Sequence, residues 1–374
     1  GGRVTRRAAL TLPAAGDPRL EVAGLSVLLR QLLSLQDAGI AEVTLPAELL
    51  ALVPADPRLR LRLLPAPAET SSRRAAEPPL LTAPAGLVWH RLLPKHLVQR
   101  GYQGGIDQAP RTPEEFLLAV PDAAAARRAE DLLFGALLKA TDGIVSRAIN
   151  RKISLAITRR LIHTRLTPNQ MTLIALVFGI AAIVLVLWGG AGMLVPGALL
   201  VQLQSILDGC DGEISRLKYI RSRLGEWLDQ VGDDVVNVGF FAVAGWALWR
   251  EGATLVGWVT LVGTVLHLVY QASLYAGLVF RGGGSGSITS IRWWGQKDHV
   301  AAPAGPRTPF QVLKETVELA GRRDFFTFLY LPAALLGVTE VALAWCAVIF
   351  SVSGVTTGLQ WLVRGGPEPA PRTS

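Results

Sequence analysis

Six uncharged apolar runs crowd the C-terminal part of the chain, at 171–188, 191–207, 235–249, 252–280, 325–339 and 341–363. A helix needs about 20 mostly apolar residues to cross a bilayer, so 252–280 and 341–363 qualify outright. The shorter runs need a few flanking polar residues to complete a crossing. The expected architecture is a mainly α integral membrane protein with a bundle of six transmembrane helices. Composition agrees: of 374 residues 50% are hydrophobic and 18% charged, with mean hydropathy +0.37. A soluble domain averages about a quarter charged residues, so a wholly soluble protein is argued against, and disorder, collagen and coiled coil are excluded. The formal net charge of +8 fits an anionic membrane surface, and no nucleic-acid partner is expected. Cys210 and Cys346 lie far apart in apolar surroundings and give neither a disulfide framework nor a zinc site.

Lysine and arginine set the expected orientation. The turns near 189–192 and 337–339 carry no basic residue, and the turn near 250–253 carries only Arg250. The opposite side holds Lys218, Arg221, Arg223, Arg281, Arg292, Lys297, Arg307, Lys314, Arg322 and Arg323. That side, with both termini, is expected to be cytoplasmic, in a bacterial or archaeal cell membrane. Pro13, Gly16 and Asp17 interrupt the first apolar stretch too early for an export signal. Before the first run, Val145, Ile149, Ile153, Ile157 and Leu161 recur every fourth residue among Arg147, Arg151, Lys152, Arg159 and Arg160. This is the pattern of a helix lying in the headgroup region. Thr167 then reads as a helix cap, with Pro168 at the first helical position. The stretch RGGGSGS at 281–287 reads as a flexible linker and the tail after Arg364 as disordered.

The chemistry is concentrated in LDGCDGEISRLKYIRSRLGEWLDQVGDD. Asp208 and Asp211 are three residues apart near the end of the second run, and Asp229 and Asp233 are four apart at the start of the third. On helices each pair projects from one face, and the short basic turn between them lets the two faces meet. Four unneutralised carboxylates would repel one another and pay heavily for desolvation. A divalent cation relieves both costs, and all-oxygen ligation suits Mg²⁺ or Mn²⁺, one ion or two. Gly212 and Gly225 clear the faces where a ligand approaches backbone, Ser215 keeps that surface shallow, and Arg216 is placed to grip a phosphate. Asp234 points about 100° round the helix from Asp233. Other readings of the acids are an ion-coupled transporter, a structural polar network, or a scaffold without activity.

The spacing D-x2-D-G-x2-[small]-R-x8-G-x3-D-x3-D closely resembles the signature of the CDP-alcohol phosphotransferase (phosphatidyltransferase) family, with Ser215 where that family usually has Ala. The resemblance covers roughly residues 140–364, including the TPN at 167–169. It implies a six-helix fold that displaces CMP from a CDP-linked alcohol by an acceptor hydroxyl. It makes Asp208, Asp211 and Asp229 metal ligands and Asp233 both ligand and general base. Gly212, Ser215, Arg216 and Gly225 would line the CDP site. The CDP-alcohol is expected to be CDP-diacylglycerol or CDP-inositol, and a homodimer is expected.

Residues 24–45 read as a helix, a stop at Gly39 and a short strand, which resembles a piece of the sugar-nucleotide and cytidylyl transferase fold. The preceding loop, LPAAGDPRLEVAG, has no G-x-G and no lysine with which to hold a nucleoside triphosphate. Inositol-phosphate cytidylyltransferase/phosphotransferase fusions have the same order of parts, and the join EDLLFGALLKATDGIVSRAINRKISLAITRRL looks like theirs. The expected organisation is a reduced, inactive cytidylyltransferase-like α/β domain over 1–125 and a linker with the interfacial helix over 126–166. The membrane domain follows over 167–364, then a tail over 365–374. An unrelated small α/β domain is the alternative for the first part. The same resemblance implies a phosphate on the acceptor, held by a subset of Arg221, Arg223, Arg292, Lys297, Arg322 and Arg323. The plainer reading of these residues is that they bind anionic lipid.

Overall fold

A computed structural model describes residues 6–66, 78–138, 143, 145–281, 291–292 and 322–369. It divides into two compact units, one of residues 1–140, 158–165 and 213–220, the other of 141–157, 166–212 and 221–374.

The first unit is built on a five-stranded parallel sheet. Its strands are β1 (Arg7–Thr11), β4 (Glu42–Leu45), β5 (Arg62–Pro65), β6 (Leu81–Pro84) and β8 (Gly104–Gly105), in the order β5-β4-β1-β6-β8. The first strand is central and the chain winds outward on each side of it, as in doubly wound α/β folds. Ala8 and Leu10 of β1 are buried, as are Val43 and Leu45 of β4. A two-residue hairpin, β2 (Glu21–Val22) with β3 (Leu25–Ser26), leads into helix α1 (Val27–Asp37). The Ser26 hydroxyl caps that helix by accepting from the Leu29 amide at 3.3 Å. Gly39, at φ +83°, ends it and turns the chain into β4, so the helix–stop–strand expectation for 24–45 matches the structure. Gly16 packs directly on the backbone of Gly86, where a methyl group on either would collide. Short α2 (Ala47–Leu50) and α3 (Leu93–Gln99) and the antiparallel ribbon of β7 (Leu87–Trp89) and β9 (Leu117–Ala119) complete the layers, and α4 (Ala123–Gly135) follows.

The second unit is helical. Helix α5 (Arg151–Leu161) is preceded by a π-helical turn at Ser146–Asn150. Its expected apolar stripe leaves Ile149 and Ile153 exposed, while the small polar residues Asn150 and Ser154 are buried. Asn150 donates to Ser205 Oγ at 3.2 Å and accepts from Gln202 Nε2 at 2.8 Å. The helix thus docks through Asn150 and Ser154 and offers Ile149 and Ile153 outward, while Ile157 is half-buried, an arrangement suited to lipid.

Helix α6 (Pro168–Gly189) opens with a capping box in which Thr167 and Gln170 bond reciprocally, as the TPN reading requires. Its inward stripe of Met171, Ala175, Gly179, Ala182 and Val186 is mostly small and lies against α8 (Arg223–Arg250). Its other face exposes Leu173, Val177 and Trp188. Helices α7 (Leu194–Lys218), α9 (Thr254–Phe280), α10 (Arg323–Leu335) and α11 (Thr339–Arg364) complete the bundle. Its centre is aromatic: Phe240 meets Tyr330 edge-on at 5.1 Å, and Phe241 meets Phe350 at 4.9 Å.

Five helices among the described residues are long and apolar enough to cross a membrane: Pro168–Gly189, Ala191–Lys218, Arg223–Arg250, Thr254–Phe280 and Thr339–Arg364. Six were expected. The run 325–339 falls on α10, whose 13 residues rise about 20 Å at 1.5 Å per residue, short of a hydrocarbon core of about 30 Å. The turn at Gly337, φ +69°, closes it. The linker at 282–287, with Lys297, Arg307 and Lys314, lies outside the described residues.

Candidate active site

The acids are placed by two helices joined through a tight turn. At the end of α7 Tyr219 adopts a left-handed conformation, φ +54°, and the Ile220 amide donates back to the Ser215 carbonyl at 3.1 Å. Ser215 is drawn into the same turn, its hydroxyl donating to the Ile220 carbonyl at 2.6 Å. Ser222 then caps α8, accepting from the Gly225 amide at 2.9 Å. Gly225 sits against Ser222 and Asn169, the second residue of α6, and a side chain there would displace the asparagine. Its small size is therefore used to seat α6 on α8.

Carboxylate oxygens of Asp208, Asp229 and Asp233 lie within 4.8 Å of one another. Asp233 is buried, while Asp208 and Asp229 are partly exposed. Asp211 lies outside this group. It is buried one turn beyond Asp208, and its carboxylate accepts from the Thr172 hydroxyl of α6. Asp234 is turned toward α9, where it accepts from Tyr275 Oη at 2.7 Å, and it also accepts from Gln230 Nε2 of its own helix at 2.9 Å.

Two contacts to the acids were not foreseen. The Gln204 amide, one turn before Asp208 on α7, donates to Asp233 Oδ1 at 3.0 Å and is itself buried. Arg323, first residue of α10, donates from Nη1 to Asp233 Oδ2 and from Nη2 to Asp208 Oδ2 at 3.3 Å. The first was legible as i, i+4 spacing from Asp208. The second joins residues 90 positions apart, which no local pattern reveals.

The basic residues expected near an acceptor are dispersed. Arg221 and Arg223 are exposed at the start of α8, and Arg322 pairs with Asp324 at 3.3 Å. Arg292 lies in a two-residue strand paired with Glu368–Pro369; its side chain lies outside the described residues. Among the described members of that set, Arg323 is the one hydrogen-bonded to the clustered acids. Gly212 and Arg216 follow Asp211 on α7, one and five residues on.

Comparison with known proteins places this geometry in a wider setting. A protein from Aquifex aeolicus called bifunctional IPC transferase and DIPP synthase is 28% identical over 221 residues, 59% of this chain and 42% of that one. Proteins of the same description from Thermococcus kodakarensis and Rubrobacter xylanophilus are 34% and 40% identical over 172 and 161 residues. These matches cover 46% and 41% of this chain, and 36% and 34% of those proteins. The chain thus matches less than half the length of these relatives. The crystal structure of a Mycobacterium tuberculosis phosphatidylinositol phosphate synthase with CDP-DAG bound aligns with a TM-score of 0.37 and 21% identity, over 57% of this chain and 96% of that one. The sequence model of CDP-alcohol phosphatidyltransferases matches residues 165–353, half of the chain, from the threshold of α6 into α11 and across every acid of the cluster. On that match the chain belongs to the CDP-alcohol phosphatidyltransferase family.

Proposed function

We propose that this protein transfers a phospho-alcohol group from a CDP-alcohol to an acceptor hydroxyl and releases CMP. The observation that carries the reading is the convergence of Asp208, Asp229 and Asp233 from two helices. The donor set consists of hard carboxylate oxygens, which suits Mg²⁺ or Mn²⁺. A cationic guanidinium already bridges two of the three acids, so the cluster draws positive charge. Asp208, Asp229 and Asp233 would hold the ion, with Asp211 one turn away as a further ligand. A bound divalent ion supplies Lewis-acid stabilisation of the diphosphate and of the leaving CMP.

Asp233 acts as general base for the acceptor hydroxyl. Gln204 fixes its carboxylate from one side, so the remaining oxygen is the one free to exchange partners. Gly212, Ser215, Arg216 and Gly225 form the CDP side of the site. The CDP-alcohol is CDP-diacylglycerol or CDP-inositol, and the acceptor carries a phosphate held by members of the basic set Arg221, Arg223, Arg292, Lys297, Arg322 and Arg323. The naming of the relatives as DIPP synthases supports an inositol-type substrate. The first domain is a reduced cytidylyltransferase-like unit without activity of its own; the strand order with β1 central and the lysine-free loop at 12–24 support this. A sixth membrane-embedded helix, α10, that does not span the core alone, a cytoplasmic active site with both termini on that side, and a homodimer complete the reading. The distribution of Lys and Arg supports the orientation.

The test is product analysis by mass spectrometry. Purified protein with Mg²⁺ is given CDP-diacylglycerol or CDP-inositol, each with phosphorylated or unphosphorylated inositol. CMP and a coupled product are expected from at least one pair with wild type, and at a rate about 10²–10⁴-fold lower with Asp233→Asn. Undiminished coupling by the variant would overturn the assignment of the base. Equal use of the two inositols would overturn the acceptor-phosphate pocket.

A further inference from the structure

Arg323 is half exposed, with 49% of its side chain accessible, yet it grips two carboxylates that are largely withdrawn from solvent. The Asp233 side chain is 5% exposed and that of Asp208 is 15%. One guanidinium nitrogen donates to each, so a two-pronged cation stands on two of the three clustered acids. The surroundings divide α10 into a fixed and a movable part. Asp324, the next residue, accepts from the Ser146 backbone amide at 3.1 Å and from Arg322 Nε at 3.3 Å, which anchors the first turn. The Arg323 side chain leaves that anchored turn on a long flexible stem. Asp233 does not depend on the arginine for its orientation, because Gln204 holds the other oxygen.

A guanidinium brings a single charge to a cluster of three carboxylates, and a divalent ion brings two. Both draw on the same oxygens, and they repel one another at close range. We propose that Arg323 is the resident counter-cation of the acid cluster and that it and a divalent metal ion occupy the cluster alternately. Metal loading then moves the arginine off Asp233 and Asp208. Removal of metal returns it, and the acids are never left together without a cation. This rests on the reading of the cluster as a divalent-metal site. Mutual exclusion is a negative coupling, so it is reciprocal: whatever Arg323 gains from the acids is subtracted from the metal's affinity.

The experiment measures Mn²⁺ binding to the full-length protein in detergent, by the electron paramagnetic resonance signal of free Mn²⁺. Arg323→Gln is expected to bind Mn²⁺ about fivefold tighter than wild type or more, within the usual range of coupling between sites. Arg323→Lys keeps the charge but loses the two-pronged grip, and it should fall between the two. Lys152→Gln removes the same charge from the exposed side of α5, outside the acid cluster, and should leave the affinity unchanged. Thermal unfolding supplies a second readout. Arg323→Gln should melt below wild type in EDTA, with the gap closing at saturating Mn²⁺. Affinity in both Arg323 variants at or below that of wild type would overturn the proposal, as would equal tightening in Lys152→Gln, which would reduce the effect to net charge. Wild-type Mn²⁺ binding that Asp229→Asn leaves intact would overturn the metal reading itself, and the proposal with it.

Discussion

Asp233 is the residue on which the proposed chemistry turns, and its contacts divide into one permanent and one exchangeable partner. Replacement by Asn keeps the size and the contact to Gln204 but removes the base. We expect kcat to fall by about 10²–10⁴-fold, as for loss of a general base, with the KM for the CDP-alcohol little changed. Steady-state kinetics on the purified variant check both numbers. Gln204→Leu should act more mildly, lowering kcat by about 10–100-fold as loss of an outer partner of a metal ligand does. A variant at wild-type rate would remove Gln204 from the account. The meeting of Asp208, Asp229 and Asp233 was legible in the sequence because their spacing sets them on facing sides of two helices, whereas Asp211, expected with them, is turned to Thr172. Gln204 shares that spacing, but a buried amide has many uses, so its role needed a partner that the fold supplies. Arg323 was readable as one of a set of basic residues, and its contact with two acids was not. That contact is made by tertiary packing from 90 residues away.

At the scale of elements, the α6–α8 contact depends on the small inward stripe of α6. A leucine at Gly179 would meet the Val236 side chain. We expect Gly179→Leu to destabilise the bundle by about 1–3 kcal/mol, the usual cost of overpacking, while Leu173→Ala on the exposed face has little effect. Thermal unfolding in detergent distinguishes them. In the first unit, Glu115 is nearly enclosed beside α3. Burial pushes its carboxyl up, but the Thr112 amide, His96 and Arg100 outweigh burial and leave it below its ordinary value of 4.5. A folded pKa below the unfolded one contributes stability above the unfolded value and loses it as pH falls through the folded one. Glu115→Gln should therefore cost about 1–3 kcal/mol at pH 7, the typical cost of leaving such buried partners unmatched. The difference from wild type should vanish in acid below the depressed value. Hydrogen exchange over residues 93–119 at several pH values checks the magnitude and the sign. The same scale shows why α5 was only half legible. Periodicity says which residues share a face, but in a membrane protein the apolar face can meet lipid while the polar one packs, as Asn150 and Ser154 do.

For the whole molecule, the sequence pattern foretold an α/β unit followed by a helical membrane unit, because hydropathy and helix length are set by the bilayer itself. It did not foretell that one apolar run would end in a 13-residue helix, since run length alone does not say where a turn such as Gly337 will close a helix. The parallel sheet of the first unit was legible only around α1 and β4, where Ser26 and Gly39 mark the helix ends. Its other strands are two to five residues long and rely on one another for their edges. The central claim is that acids from two helices act as one site by holding a divalent ion. It is tested most directly by CMP release from a CDP-alcohol in excess EDTA, followed by stepwise return of Mg²⁺ or Mn²⁺. The account predicts that turnover disappears with chelation and returns with either ion, and that Asp229→Asn needs more metal to recover. Full turnover in excess EDTA would contradict it.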